Sequence, residues 1–109
     1  MTPKQFAKFV ARDRCCWHCG ADTDLIPHHR ANRGMGGSKA RDKPANIIVM
    51  CAEINGLMES DADTAAFARK AGWKLESWEQ PNVVPIWDKS SDEWFVLDDE
   101  GNRVVKKLL

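Results

Sequence analysis

The chain has 109 residues, about the size of one compact domain, and its 43% hydrophobic and 29% charged residues exclude a disordered, fibrous or low-complexity protein. No apolar run approaches the ~18 to 20 residues that a bilayer span needs. The opening Met-Thr-Pro-Lys-Gln also lacks the basic and then apolar regions of a signal peptide, so a soluble, cytosolic domain with no membrane partner is expected. The formal net charge is zero but unevenly spread: nine Lys/Arg against four Asp/Glu through Asn46, a net +5, then seven against twelve, a net −5. The basic part is suited to anions, and the acidic part either faces away from it or covers it.

Thr2-Pro3-Lys4-Gln5 combines an N-cap hydroxyl, proline at the first helical position and glutamine at the third, which predicts a helix up to about Arg12 with Phe6, Phe9 and Val10 on one apolar stripe. The cysteine cluster C-C-W-H-C-G follows from 15 to 20. Leu25, Ile26 and Pro27 lead to His28-His29 at the end of a short strand, and the run Ile47-Ile48-Val49-Met50-Cys51 predicts a buried strand. Between them lies a loop with Gly34, Gly36, Gly37 and five basic residues. A short helix is expected over 53–60 with Ile54, Leu57 and Met58 on its packing side. A second follows, capped by Asp61 or Asp63 and stopped by Gly72. Segments 73–78 and 83–87 look extended, and 94–97 with 103–105 form a hairpin signature around Gly101. Without an internal repeat or linker, one α+β domain over 1–109 is expected, with a core at about 12–60 and an extension, 61–109, packed on it.

The residues that carry chemistry lie between Cys16 and Glu59. In a reducing compartment, C-x-x-C spacing favours metal binding over disulfides. Adjacent strand residues point to opposite faces, so His28 and His29 can take different tasks. Asn55 and Glu59 are four apart, which on a helix puts both on one face. His28, Asn55 and Glu59 together would offer one nitrogen and two oxygen ligands, a mixture suited to Mg²⁺ or Mn²⁺ that also accepts Zn²⁺ or Ni²⁺.

Over roughly residues 12 to 60 this order and spacing resembles the HNH endonucleases. HHRANRGMGGS, then KPANIIVMC and NGLMES, look most like the small HNH proteins of bacteriophages. The resemblance implies a ββα-metal core and metal-dependent hydrolysis of DNA, double-stranded by expectation. His28 would be a metal ligand and His29 the general base. Asn46 would brace the loop that holds His29, and Asn55 and Glu59 would complete the metal site. Asn55 stands where the family commonly has histidine, so this is an H-N-N variant. Many relatives carry a second C-x-x-C, whose last position is Ile54 here. A structural zinc would therefore use Cys16, Cys19 and Cys51 and take a fourth ligand from Cys15, His18 or water. The same resemblance implies action in the bacterial host cytoplasm, with the phage terminase during genome packaging or as a homing or nicking enzyme.

Arg30 and Arg33, beside the histidines, are expected to clamp phosphate oxygens, with Lys39, Arg41 and Lys43 adding nonspecific attraction. The five tryptophans are read as core and rim packing rather than as a stacking platform for bases. The acidic second half is expected to contact a protein partner, or to shield DNA from cleavage until displaced, so that truncation after Gly72 would raise cleavage. The reading of another class is a zinc-ribbon-like module that binds DNA or a packaging protein without cutting. It would need the cysteines and the basic loop but not His28, His29 and Asn46.

Overall fold

The computed structural model describes residues 1–32 and 42–106. The capping box forms as the sequence predicts. Thr2 Oγ1 accepts from the Gln5 N–H at 3.1 Å and Gln5 Oε1 accepts from the Thr2 N–H at 2.9 Å, starting α1 (Pro3–Asp13). The last residue of α1, Asp13, is buried. It pairs with Arg12 and accepts from the Val49 N–H at 3.1 Å, while Arg12 donates to the carbonyls of Pro44 and Ile47. An ion pair thus fastens the end of the first helix to the backbone leading into the second strand.

That strand, β2 (Ile47–Cys51), is antiparallel to β1 (Leu25–His29), with His28 opposite Ile48 and His29 opposite Ile47. Every residue of β2 is buried, which explains its uninterrupted apolar sequence. A 3-10 turn, Pro44–Asn46, precedes it, and α2 (Ala52–Ser60) follows directly. In α2, Ile54 and Met58 are buried as expected, but Leu57 is on the exposed side. Asp61 caps α3 (Ala62–Ala71) by accepting from the Thr64 N–H, and Gly72 ends it in the left-handed region at φ 79°. An added Cβ there would collide with the Pro85 carbonyl, so Gly72 is required twice over.

The second sheet is β3 (Ile86–Asp88), β4 (Glu93–Leu97) and β5 (Arg103–Val105), antiparallel in that order. The hairpin around Gly101 is as predicted, whereas the extended segments are shorter. After one bridge from Leu75 to Ala31, segment 73–78 breaks where Glu76 and Glu79 bond to each other, and a turn from Gln80 to Val84 delays β3 until Ile86. The described residues thus form a compact α+β fold with three α-helices and two small antiparallel sheets, joined by one core that includes Trp17, Met50, Met58, Trp73 and Leu97. Among the described residues no helix is long and apolar enough to cross a membrane.

Trp17 and Trp73 are buried, Trp87 and Trp94 pack on each other, and only Trp78 is largely exposed, at 76%. Arg103 lies over the rings of Trp17 and Phe95 and pairs with Asp88, tying the second sheet to the cysteine segment.

Candidate metal and nuclease site

The strand β1 presents its two histidines differently, as alternation requires. His28 is buried, and its Nε2 is 2.8 Å from the carbonyl oxygen of Trp73. A carbonyl can only accept, so Nε2 carries the proton and Nδ1 keeps a lone pair, the arrangement by which a second partner fixes the tautomer of a ligating histidine. Burial pushes the pKa of His28 down, against the opposing pull of the Trp73 carbonyl, the Asn55 side chain and the Glu59 charge. The imidazole is therefore neutral and able to donate a lone pair near pH 7.

Asn55 and, one turn further along α2, Glu59 both lie close enough to act on the His28 ring. Two of the expected ligands, on α2, thus act on the third, on β1. One nitrogen and two oxygens are a donor set suited to a divalent cation. Lys74, with Nζ 3.9 Å from Glu59 Oε1, places a positive charge beside this carboxylate.

His29 is half-exposed, and its Nε2 lies 2.8 Å from Asp42 Oδ1. The carboxylate fixes the orientation of the ring and leaves Nδ1 toward other partners. Nothing in the spacing pointed to Asp42, although it is the one acid among the basic residues between Arg30 and Lys43. Asn46 is buried and takes the place of a neighbouring strand. Its Oδ1 accepts from the Ala31 N–H at 2.8 Å and its Nδ2 donates to the Ala31 carbonyl at 3.0 Å, while its own carbonyl accepts from the Arg30 N–H. This extends the β1–β2 ladder past His29 and holds the histidine pair at a rigid strand end.

Arg30 is not a phosphate clamp. It is 1% exposed, and its guanidinium donates to the carbonyls of Gly72, Ala45, Pro81 and Val84 at 2.8 to 3.0 Å. Burial and the nearby Arg12 lower its pKa to about 10, which leaves it charged at neutral pH. The rigid fork that suits arginine to phosphate here collects four carbonyls from three separate segments. Arg33, Lys39 and Arg41 lie outside the described residues, as does the glycine loop.

The segment after Gly72, expected to contact a partner or to shield DNA, bonds directly to the histidine strand at its start. Besides the Trp73 carbonyl at His28, the Leu75 N–H donates to the Arg30 carbonyl at 2.7 Å, and Trp73 Nε1 donates to the Trp87 carbonyl. These bonds build the rear wall of the histidine site.

The cysteines form a second centre. The Cys16 N–H donates to the Ala21 carbonyl and the Gly20 N–H to the Cys16 carbonyl, closing a tight turn with Gly20 at φ 74°. Cys51, the last residue of β2, caps α2 through its sulfur. The sulfurs of Cys16, Cys19 and Cys51 lie within 4.8 Å of one another, a cluster that can hold a metal ion such as zinc. Burial pushes the Cys51 thiol up to about 11. For Cys19, burial is outweighed by hydrogen bonds from the Ala21 backbone and from the Cys51 and Cys16 thiols, and its pKa falls below the ordinary value. The other expected ligands go elsewhere. Cys15 is 3.9 Å from Ser90 Oγ, and the His18 ring packs against Phe67 and Trp73. No known protein family, curated protein or solved structure matches the chain.

Proposed function

We propose that this protein is a metal-dependent endonuclease of the HNH type, with β1, β2 and α2 as its ββα-metal core, hydrolysing phosphodiester bonds in double-stranded DNA. The observation that carries this reading is a neutral, tautomer-fixed His28 acted on by Asn55 and Glu59 of α2, next in sequence to a His29 oriented by Asp42. His28, Asn55 and Glu59 would hold Mg²⁺ or Mn²⁺, or else Zn²⁺ or Ni²⁺, and the bound cation supplies stabilisation of negative charge on the scissile phosphate and the departing 3′ oxygen. His29 accepts the proton of the attacking water through the ring nitrogen not engaged by Asp42, a contribution typically worth ~10²- to 10⁴-fold. Asn46 keeps the strand end rigid while this happens. Zinc at the cysteine cluster would serve a structural role, fixing the start of α2 and so the positions of Asn55 and Glu59.

The basic first part of the chain, with Arg33, Lys39 and Arg41, would draw in the DNA backbone. The setting this reading carries with it is a bacterial cytoplasm, with a phage terminase as partner or with the chain as a free-standing homing or nicking enzyme. The test is a supercoiled plasmid incubated with purified protein in EDTA, Mg²⁺, Mn²⁺ and Ni²⁺. Nicked or linear product that needs the metal is expected, and intact plasmid under every metal overturns the reading.

The three-sulfur cluster supports a second reading, a zinc-ribbon-like module that binds DNA or a packaging protein without cutting. It predicts DNA binding that survives loss of His29 and a plasmid that stays supercoiled.

A further inference from the structure

The cysteine centre has three sulfurs where a closed structural zinc site has four ligands. Cys19 Sγ and Cys51 Sγ are 3.6 Å apart, and a tetrahedral zinc with ~2.3 Å bonds wants its sulfurs about 3.8 Å apart. That pair is therefore spaced as two zinc ligands are, and Cys16 Sγ lies within 4.8 Å of both. Among the described residues no fourth His, Cys, Asp or Glu donor joins them. The spacing of Cys16 to Cys19, repeated from Cys51, falls on Ile54, a buried residue without a donor atom. Beside the cluster, a cavity of about 430 Å³ lies against Cys19 and Cys51, lined also by Thr23, Asp24 and Glu53.

We propose that a zinc ion held by Cys16, Cys19 and Cys51 keeps its fourth position open to an external neutral nitrogen donor, an imidazole such as a histidine side chain presented by another polypeptide. The choice of donor follows from charge. Zinc with three thiolates carries a net −1, and the cavity beside it is lined by the acidic residues Asp24 and Glu53, so a further anionic ligand is repelled where a neutral imidazole is not. Three thiolates and one imidazole also make a common complete zinc set. The exchange is simple: imidazole takes the place of water, with no change in the oxidation state of metal or sulfur. This inference is independent of the nuclease reading, because the histidine pair takes no part in it.

The experiment uses the full chain loaded with one equivalent of Co²⁺, which reports its ligands by absorption. Sulfur-to-cobalt charge-transfer bands are expected in the near ultraviolet. Adding imidazole should shift the visible bands saturably while the charge-transfer bands persist, and a small thiol should give the weaker response. In Ile54→Cys the added sulfur closes the set, the visible bands stop responding to imidazole, and zinc affinity rises by roughly tenfold or more. The wild-type titration decides the matter even if that variant fails to fold. Visible bands indifferent to imidazole, a stronger response to thiol, or loss of the charge-transfer bands as imidazole strips the metal would each overturn the proposal.

Discussion

His28 Nε2 donates to the carbonyl of Trp73 at 2.8 Å across 45 residues of sequence, and this bond joins the end of β1 to the segment that follows α3. Trp73 is itself fully buried and bonded to the Trp87 carbonyl, so the second half of the chain is part of the support of the histidine site. A chain ending after Gly72 loses Trp73, the Leu75 bond to Arg30, and the Pro81 and Val84 carbonyls that Arg30 requires. We expect it to lack a cooperative melt and to be inactive. A truncated chain that melts cooperatively and cuts DNA faster than the full chain would restore the shield reading.

Stability should fall on mild acidification. Burial holds the pKa of His28 below the ordinary histidine range and does the same for His18, where Lys89 adds to the effect. Histidines in the unfolded chain protonate near pH ~6.5, so below that value the unfolded state binds more protons than the folded one and stability drops. Above it the contribution is complete. A separate loss belongs to carboxyls such as Asp88, which burial pushes up but Ser90 and Arg103 pull to a net low pKa. Its contribution disappears only below about pH 4. Melting temperature measured from pH 7.5 to 3 should therefore fall in two stages, and His28→Asn should shrink the first. A flat profile between pH 7.5 and 5 would contradict the neutral, buried His28.

Arg30 provides a contrast between scaffold and DNA contact. Arg30→Ala leaves four carbonyls without their donor, and we expect a loss of about 3 kcal/mol or more. Arg30→Lys keeps the charge but not the fork, and should cost ~2 kcal/mol. The salt dependence of DNA binding by a folded variant that removes the charge, such as Arg30→Gln, should match wild type. A phosphate contact would instead lower the slope of log K against log salt by about 0.9 on removal.

Asp42 should act through His29 and not through DNA. Asp42→Ala is expected to lower the single-turnover cleavage rate by roughly 10- to 100-fold, less than loss of the base itself, with DNA affinity unchanged. Equal cleavage rates, or a loss confined to DNA affinity, would mean that the 2.8 Å contact with His29 has no part in cleavage.

The features legible in the sequence were those written over a few neighbouring residues. The Thr2 to Gln5 capping box, the Asp61 cap and the Gly72 stop each depend on backbone within one helical turn, and each forms. The i, i+4 spacing of Asn55 and Glu59 likewise required only that α2 be a helix. Arg30 was misread because its four acceptors come from segments as far away as Val84, and nothing local separates a buried arginine from an exposed one in a basic loop. The Trp73 carbonyl was invisible for a related reason, since a backbone oxygen has no signature in sequence. Segment 73–78 has strand-like residues, yet the Glu76–Glu79 bond and an exposed Trp78 turn it away from the sheet. Of the three options for the fourth ligand of the cysteine centre, neither Cys15, beside Ser90, nor His18, packed on Phe67 and Trp73, joins the three sulfurs, and these neighbours are distant in sequence.

The central claim is that His29 is the base of a metal-dependent nuclease. It is tested most directly by single-turnover cleavage of plasmid DNA in Mn²⁺ by wild type and by His29→Ala, with melting temperature and DNA affinity measured on the same samples. We expect the variant to fold and bind DNA as wild type does while its cleavage rate falls by ~10²-fold or more. Equal cleavage by the two proteins, or none by either, would contradict it.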